Sequence, residues 1–158
     1  MSASMSPLRR KLFLAIALLA LAGAVVSSVS LHQHFGTSAT SYCDIGENFN
    51  CDIVNRSTYS VVLGVPVALI GIIGYLALLA LTTVFRGKAE TPVFVFMGSL
   101  AGLAFALYLT YIEKYVLATW CILCLSSLGL IFAIAVLASI LMVSTKRERE
   151  GDSLKIRS

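Results

Sequence analysis

Four long apolar stretches separated by short polar ones organise this chain: Leu12 to Leu31, Tyr59 to Phe85, Pro92 to Tyr111 and Cys121 to Val143. Each can cross a hydrocarbon core about 30 Å thick, which takes roughly 20 helical residues. None alternates apolar and polar residues with a period of two, so the strands of a membrane barrel are excluded. Helices are the other structure that satisfies every backbone group in lipid. The pattern predicts an all-α membrane protein, a four-transmembrane-helix bundle over residues 1–145 with helices near 12–31, 59–85, 92–111 and 121–143. The second run is overlong, so its first turns are expected outside the core or at the surface. The charged residues 146–158 are expected to form a disordered cytoplasmic tail able to meet anionic lipid. No internal repeat is visible.

Composition agrees with this picture. Of 158 residues, 58% are hydrophobic and 13% charged, against about a quarter charged in soluble domains. Arg9, Arg10 and Lys11, followed by an apolar stretch containing Ala22-Gly23-Ala24, also have the form of a signal peptide, but the run is longer than a usual h-region.

Charge then orients the bundle, because Lys and Arg accumulate in cytoplasmic segments. Ten of the twelve (Arg9, Arg10, Lys11, Arg86, Lys88, Lys146, Arg147, Arg149, Lys155 and Arg157) flank the runs on one side, and only Arg56 and Lys114 fall on the other. Both termini and the turn Arg86 to Thr91 are therefore expected in the cytoplasm. The loop His32 to Thr58, between the first two helices, and the shorter loop Ile112 to Trp120 are expected outside. The net charge of +4 follows from this asymmetry and calls for no nucleic acid.

All four cysteines then belong to the extracytoplasmic face, where disulfides form and persist. Cys43 and Cys51 lie in the long loop, and Cys121 and Cys124 open the last helix as a CxxC. At a helix start, free backbone N–H groups and the positive end of the dipole stabilise a thiolate, the form that attacks disulfides. Positions i and i+3 share a helix face and differ in depth by about 4.5 Å. Cys121 is thus expected nearer the water, exchanging with a loop cysteine, and Cys124 deeper, meeting something dissolved in the membrane. Seven residues separate Cys43 from Cys51, and a disulfide between them requires the loop to double back so that their Cα atoms approach within about 7 Å. An acceptor for two electrons at the edge of the lipid fits a quinone held between helices.

The order of Cys43, Cys51, then Ser57 six positions on, then CILC at the last helix, resembles the vitamin K epoxide reductase family. Leu63 to Tyr75 (LGVPVALIGIIGY) is similar to the second-helix segment of its bacterial members. The resemblance covers roughly Tyr42 to Leu130. It implies a four-helix bundle around a quinone of ubiquinone, menaquinone or vitamin K type, with no metal. It also implies that the protein is a quinone-dependent thiol oxidoreductase of a bacterial inner membrane, supporting disulfide formation. Cys43 would meet a thioredoxin-like or DsbA-like partner, Cys51 would exchange with Cys121, Cys124 would lie next to the quinone, and Ser57 would be the hydroxyl near its pocket. Val67 and Leu128 stand where vertebrate members carry polar residues, which counts against vitamin K epoxide as substrate. No fused thioredoxin-like domain is expected after the last helix, so the partner is expected to be a separate protein.

Other readings compete. Vitamin K quinone or epoxide reduction would use the same cysteines. Two structural disulfides, or a soft-metal transporter or sensor with four thiolates, would use them without catalysis. Tyr108, Tyr111, Tyr115 and Trp120 read as an interfacial belt, with quinone contact open to one of them. His32 and His34 read as an exposed loop. Ser57 and Thr58 would serve as helix N-caps. Asp44, Glu47 and Asp52 read as solvated, and Pro66, Gly71 and Gly74 as packing features.

Overall fold

The computed structural model describes residues 6–36 and 49–157. Helix α1 (Pro7–Phe35) starts at Ser6, whose hydroxyl accepts the Arg9 N–H, and ends at Gly36. A short helix α2 (Cys51–Asn55) is capped by the Asn50 side chain, which accepts the Ile53 N–H at 3.0 Å. A 3-10 turn (Thr58–Ser60) leads into a hairpin of β1 (Val61–Val62) and β2 (Val65–Pro66), and then come α3 (Val67–Thr83) and α4 (Thr91–Ile112). A π-helical turn (Glu113–Leu117) closes at Ala118 in the left-handed region, and α5 (Ile122–Arg157) completes the described chain.

The protein is mainly a bundle of apolar helices. Three of them are long and apolar enough to cross a membrane, Pro7–Phe35, Thr91–Leu117 and Ile122–Ile156, and Val67–Thr83 is a shorter apolar helix. The core is a seam of small and branched residues at helical spacing: Phe13, Ile16, Ala20 and Ala24 of α1 meet Tyr75 and Leu78 of α3, Val95 of α4, and Ile131, Ile134, Ala138 and Leu141 of α5. Each buried stripe has an exposed counterpart that is also apolar, such as Leu14, Leu18, Leu21 and Val25 on α1 and Phe132, Val136 and Ile140 on α5. A bundle apolar on both faces has lipid as its solvent.

Close contacts fix an antiparallel order. A Cβ on Gly23 of α1 would overlap the Tyr75 ring of α3, one on Gly71 would come within 2.9 Å of Ser27 Oγ, and one on Gly102 of α4 would meet Ile131 of α5 at 3.2 Å. Tyr75 also donates its hydroxyl to the Ser127 carbonyl at 2.9 Å, with Ser127 Oγ at 2.9 Å, joining α3 to α5.

Three boundaries depart from the hydropathy pattern. The second apolar run does not begin as a helix: Leu63 and Gly64 both have positive φ and make a two-residue hairpin turn, and Pro66 leaves α3 to start at Val67. Such turns match the twist of paired strands, which apolarity alone does not reveal. The charged residues from Lys146 are helical through Arg157 instead of disordered. Lys, Arg and Glu favour helix, and Arg149 donates to the Ala89 carbonyl at 2.7 Å, tying α5 to the turn between α3 and α4. Finally, α1 runs on past Leu31, so His32 and His34 lie in its last turn and not in a loop.

Candidate functional site

At the end of the bundle opposite Arg149, the chain gathers its thiols. The Asn50 N–H donates to the Trp120 carbonyl at 3.1 Å, and Phe49 and Trp120 form a parallel bridge. This backbone link sets α2 over the start of α5. Cys51 and Cys121, each 0% exposed, share a small cluster with Val54, Leu117, Leu123 and Cys124. The Cys121 sulfur interacts with those of Cys51 and Cys124. It also accepts the Cys124 N–H at 3.4 Å, as expected of a group at a helix start. Cys121 and Cys124 are not bonded to each other. Cys43, with Asp44 and Glu47, lies outside the described residues.

Cys121, just before α5, is in contact with Cys51 and shielded from solvent. Helix α2 covers it, and this burial opposes the thiolate that the helix start favours. Cys124 is partly exposed and faces a cavity of about 400 Å³, within the range of sites for small organic ligands. Its walls come from all four longer helices and include Tyr75, Leu78, Phe105, Leu109 and Ile131. Gly74 leaves room for it: a Cβ there would meet nothing within 4 Å, so this glycine does not serve close packing as Gly71 does.

The cavity has a polar end. Asn55 is buried, accepting from Ser30 Oγ at 2.7 Å and donating to Gln33 Oε1 at 3.0 Å. His34 Nδ1 contacts the Asn55 carbonyl and lies 3.5 Å from Ser60 Oγ. Ser57 lines the same end, but its hydroxyl donates to the Val54 carbonyl at 2.8 Å and caps no helix. Val67 is in the wall, whereas Leu128, Tyr108, Tyr111, Tyr115 and Trp120 are not. Tyr108, Tyr111 and Tyr115 are exposed. Asp52 is not fully solvated, having a buried Oδ1 with no hydrogen-bond partner among the described residues.

Asn55, Ser30, Phe105 and, closest to the thiols, Glu113 are site residues that the sequence pattern did not single out. Glu113, 1% exposed, opens the π-helical turn and accepts the Cys121 N–H through Oε2 at 3.2 Å. Its position just past the apolar run placed it with the outer loop. The available signal was its spacing, eight residues before the CxxC and one after Ile112.

Among the described residues no group of three or more His, Cys, Asp or Glu could hold a metal ion. An apolar cavity with a polar end, a thiol in its wall and a buried carboxyl beside that thiol suits a flat organic molecule with polar oxygens. Fold and site together define a membrane protein with a thiol centre against a ligand cavity. The family model of the vitamin K epoxide reductase family matches residues 14–139, and the chain belongs to that family. It is therefore a membrane oxidoreductase of a family whose redox chemistry is linked to quinones.

Proposed function

We propose that the protein oxidises a separate thioredoxin-like protein and passes the electrons through two cysteine pairs to a membrane quinone, supporting disulfide formation in exported proteins. One observation carries this reading: Cys121 touches Cys51 on one side and Cys124 on the other, and Cys124 faces the cavity. A partner dithiol reduces the Cys43–Cys51 pair. The Cys51 thiolate then attacks Cys121, forming the Cys51–Cys121 bond and breaking the Cys121–Cys124 bond, which frees Cys124. When Cys43 displaces Cys121 from Cys51, the loop disulfide is restored and the CxxC is left as a dithiol. A bound quinone takes up two electrons and two protons as that dithiol returns to a disulfide. Tyr75 and Phe105 would flank its ring, and Ser57, Asn55 and His34 would face its oxygens.

In this reading α3 is a fourth span, both termini are cytoplasmic and the cysteines face outward across a bacterial inner membrane. The experiment is quinone reduction by detergent-purified protein, with a reduced thioredoxin-like donor. Cys121→Ala and Cys124→Ala should each abolish turnover while the bundle stays folded by circular dichroism. Retained turnover in both variants would overturn the proposal.

A further inference from the structure

The relay frees Cys124 as a sulfur anion in a poorly solvated place, where an uncompensated charge is costly. A proton must therefore arrive as the sulfur leaves. The structure offers a carboxyl at that point. Glu113 lies in the cavity wall with Cys124 and interacts electrostatically with its thiol. One of its oxygens, Oε2, is used to accept the Cys121 N–H; the other, Oε1, is buried with no further hydrogen-bond partner among the described residues, leaving the Cys124 thiol as the group this carboxyl serves. A purely structural cap needs only the first oxygen. A second buried oxygen with no other partner than a thiol is costly for a structural cap, and a role in proton transfer accounts for it.

Among the described residues the charged and titratable neighbours are few. Helix α2 presents Cys51 and α5 presents Cys121 and Cys124, while His34 of α1, Tyr59 of the 3-10 turn and Tyr75 of α3 face the same cavity. On its own turn, the Lys114 ammonium lies over the Tyr115 ring, 5.2 Å from its centroid.

We propose that Glu113 is a catalytic acid and base for Cys124, an inference that rests on the thiol relay proposed above. As the Cys51 thiolate bonds to Cys121 and the Cys121–Cys124 bond breaks, the Glu113 carboxyl gives its proton to the departing Cys124 sulfur. The products are the Cys51–Cys121 disulfide, the Cys124 thiol and the Glu113 carboxylate. When the electron pair passes to the quinone and the dithiol becomes a disulfide again, the carboxylate takes the Cys124 proton back. The quinone's two protons come from the Cys121 thiol and from solvent, which received the proton that Cys51 lost on ionising. Glu113 is thus unchanged over a cycle.

The test needs no quinone. Oxidised full-length protein in detergent is mixed with dithiothreitol, quenched with acid and labelled with a maleimide. Release of the Cys124 thiol is followed by mass spectrometry from acid to alkaline pH. The ratio of wild-type to Glu113→Gln rates cancels the reductant's own pH dependence. That ratio should be about 10²- to 10⁴-fold at low pH, the range for general acid catalysis. Because only the protonated carboxyl donates, the ratio should fall towards one as pH rises through the titration of Glu113.

Glutamine keeps an oxygen for the Cys121 N–H, so its melting temperature should match wild type. Glu113→Asp keeps an ionisable group and should keep the pH-dependent limb at a lower rate, which provides the test should the glutamine variant not fold. A ratio near one, or one constant with pH, overturns the inference and leaves the relay standing. Release of Cys124 that is unaffected by Cys51→Ala overturns the relay, and the role of Glu113 with it.

Discussion

The Asn50 N–H and the Trp120 carbonyl, 3.1 Å apart, hold the two thiol-bearing segments in register. Each residue precedes a cysteine, so one backbone hydrogen bond decides whether Cys51 sits against Cys121. Asn50→Ala removes only the side-chain cap of α2 and should cost about 1 kcal/mol. Asn50→Pro removes the N–H as well and should slow the formation of a Cys51–Cys121 disulfide in a Cys124→Ala background far more than the alanine does. Equal rates in the two variants would show that the bridge does not position the thiols.

The cavity should be fillable from Gly74. Its Cβ position is open, so Gly74→Phe should leave the melting temperature nearly unchanged and weaken quinone binding about tenfold or more, a tenfold change being about 1.4 kcal/mol. Gly23→Ala should do the reverse. It drives a methyl group into the Tyr75 ring, an overpacking that typically costs about 1–3 kcal/mol. Thermal unfolding and quinone titration of both variants separate the two glycines.

Tyr75→Phe should lower stability by about 1 kcal/mol, the net value of the hydrogen bonding that its hydroxyl makes with Ser127. The ring stays against Gly23, so the helix contacts should persist. A Tyr75→Phe protein as stable as wild type in denaturant titration would mean that the hydroxyl does not couple α3 to α5.

Asn55 holds Ser30 and Gln33 together at the polar end of the cavity. Asn55→Leu takes the acceptor from the buried Ser30 hydroxyl and should cost about 1–3 kcal/mol, the range for a buried polar group left unsatisfied. Asn55→Asp keeps the acceptor for Ser30 and exchanges the donor to Gln33 for an acidic group, so its stability should improve as pH falls and the acid is protonated. A melting-temperature series against pH checks the sign.

How far the sequence carried the reading differs from element to element. The apolar runs at 12–31 and 92–111 lie within helices, as does the run at 121–143 from Ile122 on, because a long apolar segment in lipid has few other ways to satisfy its backbone. The run at 59–85 concealed a hairpin, since the conformations of Leu63 and Gly64 are local backbone properties that hydropathy does not register. The CxxC was legible because two cysteines at i and i+3 share a helix face wherever the helix lies. The contact of Cys51 with Cys121 was legible only through the family resemblance, for it depends on pairing residues seventy positions apart in sequence. Glu113 was missed for a different reason. A carboxylate next to Lys114 reads as a loop charge, and only the turn of the chain at Ala118 brings it back under the cysteines.

The hairpin has a consequence for the surrounding lipid. Helix α3 keeps only 17 residues, about 25 Å at 1.5 Å per residue, whereas the hydrocarbon layer is about 30 Å thick. In the proposed four-span arrangement, the bilayer must thin beside α3 or the fully exposed Leu63 at the hairpin tip must sink towards the acyl chains. Hydrophobic mismatch of this kind costs fractions of a kcal/mol per Å. It is concentrated on the helix that carries Gly74 and Tyr75, so the width of the cavity becomes a function of acyl-chain length.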